Sequence, residues 1–317
     1  MKTNNNYKGN GTLKGDVGGL YYQTWAHYYL KFLQSYQKYN ITFWALTTQN
    51  EPTDGFLFRF SFNCMGFTPE SQAAFVVENL GPTLKNGGFK DIKIMILDDQ
   101  RLFLESWPER VFAYSNKTYD YIDGIAVHWY LDSFVSPKIL DTTNDLFPDK
   151  FIFGTEACAG AGPLKPNVLI ADFDRAQSYA KYILQDLNHW VTGWTDWNLA
   201  LNTMGGPNWA NNFVDSPIIV NKTSDEFYKQ PMYFAMGHFS KFIDEGSVRF
   251  DLIETSYPIP NEISFAAFYN AQDSKTIMIV LNEGNTREYI SVFDPEINKY
   301  VSFLLEAHSI QTVIWYS

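Results

Sequence analysis

Two glutamates in this 317-residue sequence end segments that have the composition of buried β-strands. Glu51 follows the apolar run ITFWALTTQ and stands between Asn50 and Pro52, whereas Glu156 ends the run KFIFGT and precedes small residues. Two carboxyl groups on either side of a sugar are the minimal equipment for hydrolysis of a glycosidic bond. Taken singly, each glutamate could equally be a solvated loop residue or a helix cap. The pair points to chemistry only if the fold brings both side chains to one place.

Other residues that could bind a sugar follow the remaining apolar runs. They are Asp98, Asp99, Gln100, Arg101, His128, Trp129, Tyr130, Trp194, Asp196, Trp197 and Asn198. His128 could act as a general base or belong to a hydrogen-bonding wall. Asp98 and Asp99 could be metal ligands, but no histidine or further carboxylate lies at ligand spacing, so a structural ion pair with Arg101 is favoured. The sequence therefore predicts no metal and no cofactor.

Five strand-like runs alternate with helical segments over the first 200 residues. The runs are nearly continuously apolar, as expected of parallel strands that are covered on both faces. They occupy 41–49, 91–99, 122–130, 150–157 and 191–201, and the predicted helices occupy 17–38, 69–86, 104–119, 138–146 and 169–190. Repeated βα units predict an α/β fold with a parallel sheet, whose functional residues lie at the carboxyl ends of the strands.

The pattern changes after a last predicted helix at 230–243. Short runs with alternating apolar residues follow at close spacing, which is typical of an antiparallel β-sandwich. We therefore place a domain boundary near residue 246, with βα units over residues 1–246 and a β-sandwich over residues 247–317. Five βα units do not close an eight-stranded barrel, so the sheet is either open or lacks upstream strands. An open nucleotide-binding sheet is not supported, because no glycine-rich phosphate loop is present.

The composition restricts the partners. The formal net charge is −11 and no cluster of Lys and Arg occurs, which argues against nucleic acid. Aromatic residues make up 17% of the chain, and some of them could line a pocket for sugar rings. The polar first residues contain no apolar core of a signal peptide. Cys64 and Cys158 are predicted to be buried free thiols.

Many short blocks of the sequence resemble the lysosomal acid β-glucosidases (glucosylceramidases) of glycoside hydrolase family 30. The blocks include ALTTQNEP, GFTPESQ, ILDDQR, GIAVHWYLD, FGTEAC, GWTDWNLALN and GGPNWANNFVDSPIIV, in family order and at consistent spacing. The resemblance implies a (β/α)8 TIM barrel with a β-sandwich, and a retaining mechanism. It makes Glu51 the acid/base and Glu156 the nucleophile, with Glu51 protonated and Glu156 ionised in the resting enzyme.

The resemblance also implies roles for other residues. Asn50 would bind the sugar 2-hydroxyl, Trp129 and Trp197 would face the glucose, and Tyr130 would orient the nucleophile. In similar enzymes the loop that carries Asn212 borders the pocket. Phe60 and Phe62 either line an apolar mouth for a lipid or pack within their own loop. The implied substrate is glucosylceramide or a related β-glucoside, in a lysosomal or secreted setting, at a lipid-membrane surface and with a saposin-like activator.

One departure from the family pattern affects these expectations. Family members carry an N-terminal region with a signal peptide, the first three barrel strands, and an Asp and a Trp that hold the sugar. We therefore expect an N-terminally incomplete chain. Two alternatives stay open: a non-catalytic remnant or binding module, and a relative that cleaves β-xylan or β-1,6-glucan.

Overall fold

The computed structural model describes residues 1–58, 60–162, 166–253 and 258–316. The chain forms two compact units. The first comprises Met1–Ala157 with His189–Thr195, and the second comprises Cys158–Asn188 with Asp196–Ser317. Glu51 and Glu156 both belong to the first unit, so the geometry between them is a property of that unit.

A five-stranded parallel sheet organises the first unit. Its strands follow the chain order β1 to β5. They are β1 Ala45–Thr47, β2 Lys93–Gln100, β3 Gly124–His128, β4 Phe151–Glu156 and β5 Val191–Trp194. All residues of β3 are buried, as are six of the eight in β2, in agreement with the continuous apolar runs. The predicted parallel sheet is confirmed, and the carboxyl ends of the strands lie at one edge of the sheet.

The helices of the first unit pack on this sheet through one apolar core. Its largest fully buried members include Phe75, Leu80 and Ile96. The helices are α1 Leu20–Gln37, α2 Pro69–Ala74, α3 Gly81–Asn86, α4 Trp107–Ala113, α5 Lys117–Tyr121 and α6 Lys138–Leu146, with a π-helical segment at Phe75–Leu80 between α2 and α3. The predicted helix over 69–86 is therefore confirmed in extent. It begins where the sequence indicates, because Thr68 and Ser71 form a reciprocal capping box.

Several predicted elements have different bounds in the structure, two of them for a local backbone reason. The segment 104–119 is not one helix, since a 3-10 turn at Arg101–Glu105 precedes α4 and α5. Pro108 lacks a backbone N–H and therefore suits the first turn of α4 better than a helix interior. The strand predicted over 191–201 ends at Trp194, because Asn198 has a φ of +76°, outside the β region.

The second unit combines two helices with antiparallel strands. Its helices are α7 Phe173–Asn188 and α8 Pro231–Ser240, and a small sheet joins β6 Ala200–Asn202, β7 Ile218–Asn221 and β8 Glu226–Lys229. A four-stranded antiparallel sheet has the order β14-β11-β10-β9. Its strands are β9 Val248–Phe250, β10 Ile263–Asn270, β11 Lys275–Asn282 and β14 Ser309–Tyr316. A hairpin of β12 Glu288–Asp294 and β13 Lys299–Leu305 completes the unit.

The antiparallel strands share an apolar core of their own. Met278, Val280 and Leu305 are buried in it, and side chains of β12 pack against them. The alternating burial along β12 and β13 is that of strands with one face covered, as in a sandwich. The domain boundary near residue 246 stays a prediction, since this compact unit also includes α7 and α8. Within the described residues, no helix combines the length and apolarity that a membrane crossing requires.

Candidate active site

A tight turn after β1 positions Glu51. Its backbone N–H donates to the carbonyl of Asp98 at the end of β2, over 2.8 Å, and its φ of +38° turns the chain away from the strand direction. Few non-glycine residues adopt such a φ, and those that do are frequent at functional sites. The Glu51 side chain keeps 18% of its surface exposed. The carboxyl group is therefore fixed at the edge of the sheet but accessible.

Glu156 is the last residue of β4. The Trp129 N–H donates to its carbonyl over 3.2 Å, and the Tyr130 hydroxyl donates to its Oε1 over 2.8 Å. Burial raises the pKa of Glu156, while the positive charge of His128 and the Tyr130 hydrogen bond lower it, and the net direction is upward. Tyr130 therefore contacts one oxygen of Glu156, and its role in orienting the nucleophile stays a prediction.

His128 lies between two carboxylates at the end of β3. Its Nδ1 is 3.1 Å from Glu51 Oε1 and its Nε2 is 3.1 Å from Asp98 Oδ1. Burial opposes a charge on this side chain, which is only 1% exposed, but the hydrogen bonds with Asp98 and Glu51 raise its pKa to about 10. At neutral pH both ring nitrogens therefore carry a proton and donate, so His128 is an imidazolium that joins Glu51 to Asp98.

The two glutamates meet beside this imidazolium. One carboxylate oxygen of Glu51, one of Glu156 and one ring nitrogen of His128 all lie within 4.8 Å of one another. The two acids come from β1 and β4, which are not neighbours in the sheet. A gap of this size between two acidic side chains can accept a single glycosidic bond.

Asp54 is a fourth acidic group at this place. It follows Glu51 by three residues, and its N–H donates to the Glu51 carbonyl over 3.0 Å. Burial, followed by the hydrogen bond and charge of Glu51, raises the pKa of Asp54 to about 8. Burial also acts upward on Glu51, but the hydrogen bonds with His128 and Asp54 outweigh it and lower the Glu51 pKa.

The neighbouring aspartates hold the loops around the site. Asp98 accepts hydrogen bonds from Thr47 Oγ1 (2.6 Å) and Thr155 Oγ1 (2.7 Å), and so links β1, β2 and β4. Asp99 accepts from the N–H and the hydroxyl of Thr53, over 3.2 and 2.7 Å. A β-bulge between Leu97 and Asp99 gives these adjacent aspartates different partners.

The ion pair of Arg101 with Asp98 or Asp99 stays a prediction, and the structure shows a different partner, Asp132. Arg101 Nε lies 3.1 Å from Asp132 Oδ1, and Arg101 Nη2 donates to the Asp132 carbonyl over 2.6 Å. Arg101 follows β2 as the first residue of a 3-10 turn and is fully buried there.

The donor set suits proton chemistry better than a metal ion. Glu51, His128 and Glu156 are close enough to share an ion. However, both nitrogens of His128 are engaged by carboxylates, and an imidazolium has no lone pair for a metal. Asp98 and Asp99 accept hydrogen bonds from threonine hydroxyls.

The remaining predicted site residues fall into two groups. In the first unit, Asn50 is exposed beside Glu51, the Trp129 ring meets Trp194 edge-on at 5.9 Å between centroids, and Phe62 packs against Phe60 at 5.4 Å. Trp197 and Asn212 belong to the second unit, and their part in the site stays a prediction.

Gln100, one of the residues selected at the strand ends, contacts the site, since its Nε2 donates to Glu51 Oε1 over 3.0 Å. Asp54, whose backbone N–H donates to the Glu51 carbonyl, was not selected from the sequence. For Asp54, the signal was its position three residues after a glutamate in a segment that must turn at Pro52.

Comparisons with known proteins agree with this fold and geometry. The sequence profile of the "Glycosyl hydrolase family 30 TIM-barrel domain" matches residues 1–243, and that of the "Glycosyl hydrolase family 30 beta sandwich domain" matches residues 246–313. The predicted barrel-plus-sandwich fold class is therefore confirmed. Among solved structures, SrfJ from Salmonella typhimurium superposes with a TM-score of 0.87 and 26% identity, over 100% of this chain and 66% of that one.

Curated relatives are similar along nearly the whole chain. The chain is 43% identical to lysosomal acid glucosylceramidase of Mus musculus, over 99% of its own length and 60% of that protein. It is 42% identical to putative glucosylceramidase 3 of Caenorhabditis elegans, over 99% of its own length and 59% of that protein. The chain thus spans about 60% of the length of the curated relatives it matches. The two profile matches and these identities establish that the chain belongs to glycosyl hydrolase family 30.

Proposed function

We propose that this chain carries the two catalytic carboxyl groups of a retaining β-glucosidase whose substrate is glucosylceramide. The observation that carries the proposal is the approach of the Glu51 and Glu156 carboxylates to within 4.8 Å of each other. Retaining glycosidases need a short separation of about 5–5.5 Å, whereas inverting enzymes need about 6.5–9.5 Å to admit a water molecule. The substrate class is supported by relatives that are named glucosylceramidases.

Glu156 acts as the nucleophile in this proposal. Its carboxylate attacks the anomeric carbon as the bond to the ceramide oxygen breaks, and a covalent glucosyl-enzyme forms. The Tyr130 hydroxyl holds Glu156 Oε1 and leaves Oε2 for the attack. Water then attacks the same carbon and releases glucose with its original configuration.

Glu51 acts as the acid in the first step and as the base in the second. It donates a proton to the departing ceramide oxygen and then takes a proton from the attacking water. His128 and Gln100 both contact Glu51 Oε1, over 3.1 and 3.0 Å, and therefore leave Oε2 of Glu51 for this exchange. Asn50 is exposed next to Glu51, where it can reach the sugar 2-hydroxyl.

A lipid-facing role is proposed for the loop that follows the acid. Phe56, Leu57 and Phe58 are 49%, 51% and 76% exposed, which is unusual for three consecutive apolar residues. Such a loop can enter the surface of a membrane from which ceramide must be drawn, and Phe60 and Phe62 continue it. The mouse relative's name supports a lysosomal setting. A saposin-like activator stays part of this proposal.

Two measurements test the activity. The purified chain is assayed with a fluorogenic β-glucoside and with glucosylceramide in mixed micelles, and the first-formed sugar anomer is followed by NMR. We expect β-glucose as the first product, and covalent labelling of Glu156 by a 2-deoxy-2-fluoro-glucoside. Release of α-glucose contradicts retention, and labelling of another residue removes Glu156 from its role.

The same assay separates the alternatives. The relatives at 42–43% identity do not favour a polysaccharide substrate. Cleavage of β-1,6-glucan or β-xylan in preference to glucosides would reverse that conclusion. Folded protein that turns over none of these substrates would favour the non-catalytic alternative.

A further inference from the structure

Gln72 of α2 is a buried polar side chain that lies outside the candidate site. None of its surface is exposed. Its Oε1 accepts from the Leu97 N–H of β2 over 3.1 Å and from Trp107 Nε1 of α4 over 2.7 Å. Its Nε2 donates to Thr48 Oγ1, directly after β1, over 2.6 Å. One amide group therefore connects the end of β1 with β2 and α4.

The partners of this amide determine which way it points. The Leu97 N–H and Trp107 Nε1–H are donors only, so the amide oxygen must face them and the amide NH2 must face Thr48. A flipped amide would place donors against donors in a buried setting, where unmade hydrogen bonds are costly. The side chain therefore has one favourable orientation, in which it bonds to both strands at once.

The backbone that Gln72 contacts in β2 is strained. Leu97 and Asp98 have φ values of +69° and +61°, in the left-handed region that few non-glycine residues adopt. β1 pairs with β2 only as far as Thr47 with Met95, so Leu97 lies beyond the last pair of that ladder. Strained residues persist only where the surrounding structure holds them. The hydrogen bond from the Leu97 N–H to Gln72 supplies such a constraint.

The strained residues lead directly to the candidate site. The Asp98 carbonyl accepts the Glu51 N–H over 2.8 Å, and the Asp98 carboxylate contacts His128 Nε2 over 3.1 Å. Thr48, the other strand contact of Gln72, precedes Glu51 by three residues. Gln72 therefore contacts the chain that enters the Glu51 turn, and also the residue next to the one that accepts the Glu51 N–H.

We propose that Gln72 is a positioning residue for Glu51. It holds Leu97 in the bulge of β2 and Thr48 at the end of β1, and so sets where the Glu51 carboxyl group lies relative to Glu156. The inference rests on the proposed function, because it assigns what keeps the two carboxyl groups at the separation of that reaction. Gln72 itself touches neither substrate nor reacting atoms, and acts through the backbone of the two strands.

The first test compares two variants that remove different bonds of this amide. Gln72→Met has a side chain of similar length but no amide, so all three bonds are lost. Trp107→Phe loses only the Trp107 bond and keeps both strand contacts. We expect kcat for a fluorogenic β-glucoside to fall by about 10-fold or more in Gln72→Met and by less than about 2-fold in Trp107→Phe, with little change in KM, because a misplaced catalytic group lowers the rate. A purely structural role would lower the stability of both variants without this difference in kcat.

The second test does not depend on activity. Hydrogen exchange of the Leu97 and Glu51 amides is followed by NMR in the wild type, in Gln72→Met and in Thr48→Val, with the amides of β3 and β4 as the reference for global unfolding. In Gln72→Met, both amides should exchange at least about 10-fold faster relative to this reference, because local opening becomes easier. Thr48→Val removes the contact with β1 alone, so the Leu97 amide should stay protected there while the Glu51 amide exchanges faster.

The possible failures are distinguishable. Equal losses of kcat in Gln72→Met and Trp107→Phe, or wild-type exchange of the Glu51 amide in Gln72→Met, overturn the positioning role while the glucosidase activity stands. If Gln72→Met does not fold, Thr48→Val decides, because wild-type kcat together with wild-type exchange of Glu51 in that variant also overturns the role. A wild-type chain that hydrolyses no glucoside, with the amides responding as expected, overturns the proposed function but leaves Gln72 as the residue that fixes the Glu51 backbone.

Discussion

His128 contacts Glu51 and Asp98 through opposite ring nitrogens, each over 3.1 Å. The imidazolium therefore holds negative charge on Glu51 while Asp98 holds the imidazolium in place. Asp98 is itself fixed by two threonine hydroxyls from β1 and β4. The charge state of the acid/base thus depends on a residue that two other strands position.

Replacement of His128 by Gln should raise the pKa of Glu51. The positive charge and the Nδ1 donor both stabilise the ionised form, so their loss favours the protonated one. The basic limb of the kcat/KM profile should move to higher pH, with a fall in rate of about 10-fold or more from the disturbed position of Glu51. A profile that keeps the wild-type midpoints would show that His128 does not set this charge.

The stability of the fold should depend on the charge of His128. Its folded pKa of about 10 lies above its unfolded value of about 6.5, so the stabilisation is complete below pH 6.5 and is lost as the pH rises through 10. Urea denaturation at several pH values should show a falling free energy of unfolding over this window. The fall should be smaller in His128→Gln, and an equal fall in both chains would contradict the assignment.

Removal of the Tyr130 hydroxyl should raise the pKa of Glu156. In Tyr130→Phe the ring remains but the donor to Oε1 is lost, and hydrogen bonds to charged groups contribute about 1.5–3 kcal/mol. We expect kcat/KM to fall by about 10-fold or more and the acidic limb of its pH profile to move to higher pH. A change in KM alone would place Tyr130 in sugar binding instead.

Replacement of either glutamate by Gln should abolish most turnover without unfolding the chain. Glu156→Gln should lower kcat by several orders of magnitude for every substrate, because no covalent intermediate forms. Glu51→Gln should lower it by about 100- to 10,000-fold for substrates with poor leaving groups. Circular dichroism checks the fold, and near-full turnover of a variant removes that residue from the mechanism.

The Arg101–Asp132 pair should matter for stability far more than an exposed pair. Arg101 and Asp132 side chains are 1% and 3% exposed, and burial raises the Asp132 pKa to about 7 despite the nearby Arg101. Arg101→Ala leaves a buried acid without its partner and should destabilise the chain by about 3–5 kcal/mol. The control is Arg110→Ala, whose pair with Glu70 is half-exposed and should contribute about 0–1 kcal/mol. Equal losses in both variants would contradict this ranking.

The strand ends were predictable from the sequence because continuous apolar runs stop at polar residues. Glu51, His128, Tyr130 and Glu156 were selected in this way, and the structure brings them together. Strand length was less predictable. Of the run 41–49, only Ala45–Thr47 forms a strand, and Trp44 before it is 58% exposed. Apolar composition alone does not show how much of a run pairs with a neighbouring strand.

The finer arrangement of the site could not be read from an apolar pattern. It depends on residues with positive φ, such as Glu51 and Asp98, and on the bulge in β2. The partner of Arg101 and the backbone hydrogen bond from Asp54 to Glu51 follow from these local backbone geometries.

The irregularity in β2 also limits how this strand can change during evolution. Leu97 and Asp99 pair with the successive residues Ala126 and Val127, so Asp98 is the extra residue of the bulge, and it contacts different neighbours from Asp99. Deletion of one residue there would shift the register of Gln100 and Arg101 against β3 by one residue. It would also change which neighbours the two aspartates contact. We therefore expect homologous strands to tolerate substitutions in this stretch more readily than insertions or deletions.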